Sequence, residues 1–293
     1  QRDGALLAID VVNKRGGLNM PSGKVMLEGV VQDDEAKQDV AVRRYRYMVD
    51  EGVKGMGGQT FAPVAYTING LVSKDPLAYF PVCVMSKEAF QKGKLAESTF
   101  ATAYSPWTVG YMAGYSAVKT LGKKKIFFLA RADSFGWDIR DGVYQAAKEN
   151  GAEIVGYDAM HYFYYDLANF ADKEVAKSAA EFTNLFRAKY GRPPDAYAAI
   201  AYIAYMEMFR GFETAKTFDS LKVSAALMAN KGAFNSVKGA ARWREDHAAE
   251  YKHAAFLVKG KGAKDQKNEW DLFQVMGSVG GEQVMPSLKS LGY

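Results

Sequence analysis

Apolar residues recur at helical spacing at the start of the chain. Leu6, Ile9 and Val12 share one face of Asp3 to Arg15, and Gly16-Gly17 follows as a helix end would. "KVMLEGVV" (Lys24 to Val31) is apolar and rich in β-branched residues, which predicts a strand. "DDEAKQDVAVRRYRYMVDEG" opens with acidic residues and repeats Val40, Tyr45, Met48 and Val49, which predicts a helix. After a short segment at Val53 to Met56, "MGGQTFAPVAY" leads into another helix. "YFPVCV" follows as a strand that Pro81 weakens. The alternation continues through "SPWTVGYMAGYSAVKTLG" (helix), "KKIFFLA" (strand), "GWDIRDGVYQAAKENG" (helix) and "AEIVGYDAM" (strand). Strands alternating with helices predict βαβ units and parallel sheets. "DKEVAKSAAEFTNLFRAKYG" and "DAYAAIAYIAYMEMFRGFETAK" read as consecutive helices, and "GAARWRE", "HAAFLVKG" and "WDLFQVMG" as strands. No low-complexity linker interrupts the pattern, so a domain boundary would be a crossover rather than a tether.

Composition excludes several classes. The 293 residues suffice for two domains, and 48% hydrophobic with 24% charged is ordinary for a soluble globular chain. No apolar run approaches the ~20 residues of a membrane-spanning helix. Gln1 drops straight into a helical pattern, so the N-terminus reads as processed or truncated. The net charge of +5 is scattered, and its densest cluster, Lys123 to Lys125, reads as a solvated loop rather than a nucleic-acid contact. Cys83 is the single cysteine, which excludes an intramolecular disulfide and a CxxC metal knuckle.

Candidate chemistry concentrates where strands run into helices, because free N–H groups at helix starts favour anions there. In "MGGQTFAPVAY" there is no Gly-Lys-Ser/Thr for a nucleotide-phosphate loop and no G-x-G-x-x-G for a dinucleotide. Gln59 and Thr60 then either cap the helix or, with backbone N–H groups, hold a carboxylate. In "RADSFGWD", Phe135 stands either as a flat wall over a ligand or as a core residue under the loop. In "TAYSPW", Ser105 reads as an N-cap with Pro106 in the first turn. His161, His247 and His253 have no metal spacing and no neighbouring nucleophile in sequence. "REDHAAE" reads as surface charge, and "HYFYYD" as a buried strand rather than a base-stacking platform. Nothing argues for an enzyme.

The order "DGALLAIDVVNKRGGLN", "VVQDDEAKQDVAVRRYRYMVDEGVKGMGG", "TLGKKKIFFLARADSFGWDIRDGVYQAAKENGAEIVGYD", "FRAKYGRPPDAYAAIAYIAYMEMF" resembles the branched-chain amino acid-type solute-binding proteins of bacterial ABC transporters, over most of the chain. The resemblance implies a class I periplasmic binding protein: α/β, with two doubly wound parallel-sheet lobes joined by a three-stranded hinge. It implies residues 1–100 with 164–234 in the first lobe and 101–163 with 235–293 in the second. By the same resemblance Gln59, Thr60 and Ala62 bind the ligand's carboxylate, Met85 and Ser86 add donors, and Phe135-Gly136 matches an aromatic-glycine pair. Many members carry tyrosine where this chain has Phe135, which opens the ligand class to apolar and aromatic carboxylates beside leucine. The implied partners are a small carboxylate ligand and ABC permease subunits, with no cofactor, no metal and no nucleic acid. The implied state is a monomer, in the periplasm or lipid-anchored at the cell surface. A ligand sensor or receptor ectodomain on the same fold is the competing reading, and no DNA-binding helix-turn-helix is present.

Two departures from the family pattern stand out. The family's first strand would precede Gln1. After Met160 the family continues through about two βαβ units, roughly 60–80 residues, whereas His161 follows at once here. A chain break between Met160 and His161 is therefore expected, and with it the loss of residues that hold the ligand's amino group.

Overall fold

The computed structural model describes residues 1–59, 61–82, 85–129, 134–158, 167 and 170–293. The Met160–His161 junction and "HYFYYD" lie outside the described residues, as do Thr60 and Cys83.

The chain opens with α1 (Arg2–Lys14), which buries Leu7, Ala8, Ile9 and Val12. A hairpin of β1 (Leu18–Met20) and β2 (Gly23–Val25) follows. The strand expected over Lys24 to Val31 stops at Val25. Beyond it the Asn13 side chain takes the place of a neighbouring strand, bonding both the N–H and the C=O of Leu27 at 2.8 Å. α2 (Gln38–Asp50) starts later than its acidic leader suggested. Asp33 and Asp34 accept instead from the N–H groups of Glu35 and Ala36, both at 2.8 Å, in turns that hold those two residues at positive φ.

β3 (Gly55–Gly58), α3 (Ala62–Val72) and β4 (Ala78–Pro81) form a βαβ unit with parallel strands, extended by a parallel bridge from Tyr79 to Thr99. α4 (Pro106–Tyr115) runs into a π turn at Ser116–Thr120. β5 (Lys125–Leu129), α5 (Ser134–Asn150) and β6 (Glu153–Asp158) make the second parallel unit. α4 and α5 pack backbone to backbone. A Cβ on Gly110 would lie 2.0 Å from the Ile139 carbonyl oxygen, and one on Gly142 2.1 Å from that of Trp107, so only glycine permits this approach. Phe127, on β5, is 62% exposed.

α6 (Lys173–Tyr190), α7 (Ala196–Ala215) and a helix not expected from the sequence, α8 (Ser220–Met228), follow. Then come the antiparallel sheet β7 (Ala233–Ser236), β8 (Gly239–Trp243) and β9 (Ala249–Tyr251), and the hairpin β10 (Ala255–Gly260) with β11 (Phe273–Val279). The one-turn α9 (Gly281–Val284) closes the series.

The largest core joins α1, α6 and α7 to β4 and the β7–β9 sheet, with the Trp243 ring in contact with those of Phe80, Phe100 and Phe234. Glu207 is buried there, and its carboxylate is satisfied by Trp243 Nε1 at 2.9 Å and by Arg210 at 2.8 and 2.7 Å. A separate core joins Val118, Ile126, Ile139, Val143 and Ala147. The chain runs in parallel contact at Ala101 and Ala248, which belong to a further core with Ala65, Met85 and Phe90, and the Phe170 ring meets His253 edge-on at 5.0 Å.

Of the "REDHAAE" carboxylates Glu245 is exposed, but Asp246 is not surface charge. Arg244 and Asp246 are 6% and 2% exposed and paired at 3.2 and 2.8 Å, with Arg244 also donating to the Pro286 carbonyl at 2.8 Å. Burial raises the Asp246 carboxyl above its ordinary value although Arg244 opposes the shift. The Lys123 to Lys125 cluster is exposed, as its composition implied.

Candidate functional site

The end of β3 is built by backbone constraint. A Cβ on Gly57 would fall 2.8 Å from the Tyr205 ring and 2.9 Å from the Phe80 carbonyl oxygen. Gly58 has φ +121° and Gln59 φ +58°, so the chain turns sharply before α3 begins. Phe61 is the N-cap of α3, offers no capping side chain, and is followed by Pro63 in the first turn. Among the described residues the N–H groups of Phe61 and Ala62 have no hydrogen-bond partner. Such a helix start presents positive partial charge and free donors, which suits an anion.

Three tyrosines frame this turn. Tyr79, fully buried on β4, donates to Gln59 Oε1 at 2.9 Å. Gln59 therefore points back at the strand end and does not cap the helix. Tyr205, on α7, donates to the Gly57 carbonyl at 3.3 Å, and burial pushes its hydroxyl up to about 12, so it stays a donor. Tyr66, on α3, accepts the Ser86 N–H at 2.7 Å. Tyrosine on a helix or strand carries no sequence signal of where its hydroxyl ends, so sequence alone assigns none of the three to this turn.

Ser86 and Met85 follow the end of β4. Ser86 stands at the N-cap position of a short 3-10 turn, Lys87–Phe90, without a capping side-chain bond, and its N–H is already held by Tyr66. The Met85 side chain is fully buried with Ala65, Phe90 and Ala101. Ala62 is the first residue of α3, and Thr60 lies outside the described residues. Phe135, in the first turn of α5, is partly buried against Val118, Ile126, Ile139 and Val143. Ser105 caps α4 as expected, accepting from Thr108 N at 3.1 Å.

The 3-10 turn after β4 faces the starts of α4 and α5. Lys87 Nζ lies 4.3 Å over the Trp107 ring. The Asp138 carboxyl on α5 is raised by burial first, then by Glu88 in that turn and by Asp141. Lys87 thus meets the start of α4, and the Glu88 charge lies near enough to α5 to act on Asp138.

The tertiary structure does bring a hydroxyl to a histidine, which sequence separation hid: Ser278 Oγ lies 2.7 Å from His253 Nδ1. Among the described residues no cluster of three or more His, Cys, Asp or Glu could hold a metal, and no helix is long and apolar enough to cross a membrane.

Comparison with solved structures defines the class. Across 98% of its length the chain superimposes on 93% of a branched-chain amino acid ABC transporter periplasmic ligand-binding protein from Burkholderia xenovorans, with a TM-score of 0.80 at 17% identity. It also superimposes, over 94% of this chain and 91% of that one, on an ABC transporter solute-binding protein from Rhodopseudomonas palustris in complex with 3,4-dihydroxybenzoic acid, at TM-score 0.74 and 14% identity. The fold is that of a class I periplasmic binding protein.

Residues 1–179 match the family model described as "Periplasmic binding protein", and the chain belongs to that family. It is 24% identical over 161 residues to the leucine-, isoleucine-, valine-, threonine- and alanine-binding protein of Pseudomonas aeruginosa. That match covers 55% of this chain and 42% of the relative, so the chain spans about two fifths of the curated relative's length. The family and these neighbours are binding proteins, not enzymes, and the family is extracytoplasmic.

Proposed function

We propose that this chain is the solute-binding receptor of an ABC importer, taking a small carboxylate-bearing ligand between two lobes. The observation that carries the reading is the start of α3: a glycine-built strand end, then two N–H donors without partners among the described residues. The carboxylate sits on the backbone at Gln59, Thr60 and Ala62, with Met85 and Ser86 contributing main-chain groups and Phe135 an apolar wall. The Ser86 N–H takes part only after exchanging Tyr66 for the ligand.

The ligand class is a branched-chain or other apolar amino acid, or an aromatic acid. The printed specificity of the Pseudomonas aeruginosa relative supports the first, and the Rhodopseudomonas palustris complex supports the second. Phenylalanine at 135 favours an apolar or aromatic group there, because it offers a ring face and no hydroxyl. The lobes comprise 1–100 with 164–234 and 101–163 with 235–293, joined where Ala101, Phe170 and Ala248 to His253 converge. Closure would trap the ligand and present a new surface to the permease. The protein works in the periplasm, or lipid-anchored at the cell surface, as a monomer without a cofactor.

A thermal-shift screen with aliphatic amino acids and substituted benzoates tests the reading. A ligand at 100 times its dissociation constant stabilises the fold by about 2.7 kcal/mol. If no carboxylate in either series raises the melting temperature, the reading fails.

A further inference from the structure

His253 stands between two structural bodies. Its neighbour Ala254 and the neighbour of Ser278, Val279, are joined by a 2.7 Å backbone hydrogen bond and pack with Met112 of α4. His253 and Ser278 therefore lie on a segment that meets α4 through Ala254 and Val279, while Tyr251, Phe256 and Val275 beside them pack on the core that holds α6. Asp172 belongs to the other body. It is the N-cap of α6, and one of its oxygens accepts from the N–H groups of Glu174 and Val175 at 3.2 and 3.3 Å.

The second Asp172 oxygen reaches across. It accepts from His253 Nε2 at 3.0 Å and from Lys252 Nζ at 3.1 Å. The His253 ring is held edge-on against Phe170 at 5.0 Å and stacked over Phe256 at 6.2 Å. Its other nitrogen meets Ser278 Oγ. The hydrogen bond from His253, then that from Lys252, holds the Asp172 carboxyl well below the usual carboxylate range, so it is ionised. A serine, a histidine and an aspartate in one hydrogen-bonded line resemble a catalytic arrangement. Here both carboxylate oxygens are committed, one to starting a helix and one to the crossing.

We infer that Asp172, His253 and Ser278 form a clasp across the hinge, which fixes the angle between the two bodies and so sets the open–closed equilibrium of the receptor. This rests on the two-lobed binding reading above, but the clasp never touches ligand. A single carboxylate couples the start of α6 to the β10–β11 hairpin, so releasing it loosens both at once. The equilibrium then shifts by the differential stability that the clasp gave to the conformation in which it is closed.

The test reads conformation directly and without ligand. Spin labels on p-acetylphenylalanine at Tyr47 of α2 and Lys148 of α5, both exposed, report the distance between the bodies. Asp172→Asn keeps a helix-capping side chain and removes the charge, and His253→Gln removes the ring. Both are expected to broaden the distance distribution and to speed amide exchange about 10-fold at Val175 and Ala254. Ser278→Ala, the mildest change, should broaden it in part, and Arg242→Met, which breaks an exposed ion pair with Glu250 on the same sheet, should leave it unchanged. Wild-type distributions in both Asp172→Asn and His253→Gln would overturn the clasp, as would equal broadening in Arg242→Met. Failure of L-leucine and of benzoate to bind would overturn the binding reading and leave the distance result standing.

Discussion

Lys238, in the turn between β7 and β8, offers a quantitative test of the packing between the β7–β9 sheet and the β10–β11 hairpin. Its ammonium lies 4.4 Å from the Tyr251 ring centre, 5.7 Å from Tyr104 and 6.0 Å from Phe256, and it donates to the Ala254 carbonyl at 2.8 Å. Among the described residues no carboxylate pairs with it. The residue as a whole is partly buried, with the charged end under the rings. Burial pushes the amine from 10.5 down to about 7. At about 1.36 kcal/mol per pH unit, keeping the charge in the folded state costs on the order of 5 kcal/mol. The nearest ring offsets roughly 1–2 kcal/mol of that, and the hydrogen bond about 1 kcal/mol. Lys238→Met keeps an unbranched stem and removes the charge, so it should stabilise the protein by ~2 kcal/mol near neutral pH. The pH dependence has a definite sign. The folded value lies below the unfolded one, so between about 7 and 10.5 the unfolded chain holds a proton that the folded chain has released. Wild-type stability therefore rises with pH in that window, by at most about 1.4 kcal/mol per unit from this group, and the penalty is fully present below it. Urea unfolding of both proteins from about pH 6 to about pH 9 measures this. The variant's advantage should be largest at the acid end and shrink as pH rises. A variant less stable than wild type at the acid end, or an advantage independent of pH, would refute the reasoning.

Other outcomes follow from single contacts. Gly57→Ala would drive a methyl group against the Tyr205 ring and the Phe80 carbonyl, so the melting temperature should fall by the equivalent of ~1–3 kcal/mol. Ser105→Ala should cost ~1 kcal/mol in denaturant unfolding, because Thr108 N–H loses its cap; an unchanged midpoint would mean that the cap contributes nothing. His247 is stacked on Phe100 at 4.4 Å, and burial lowers its pKa below 6.5. As pH falls below that value the unfolded chain takes up a proton that the folded chain resists, so stability declines toward acid. His247→Asn tolerates the left-handed backbone at that position and should show a shallower decline between about pH 7 and pH 5 in urea titrations.

Much of the fold was legible because its determinants are local. The apolar spacing of Leu6, Ile9 and Val12, the Ser105-Pro106 start of α4 and the alternation through "KKIFFLA" and "AEIVGYD" each act within one or two turns of chain, and each produced the element it implied. The glycine turn after β3 was legible for the same reason, since Gly57-Gly58 marks a tight turn through backbone freedom alone. What the sequence could not show were pairings between distant residues. Met26 to Val31 has strand composition, but a strand exists only with a partner, and the Asn13 amide stands there instead. Arg244 and Asp246 read as surface charge because composition gives no burial; their mutual bonds and the Pro286 carbonyl, 42 residues from Arg244, make burial tolerable. The Tyr79 and Tyr205 hydroxyls, Asp172 beneath His253, and the Lys238 ammonium among three rings likewise depend on which surfaces the folded chain brings together. Periodicity encodes which face of an element is apolar; only packing decides what that face, and every polar group beside it, will meet.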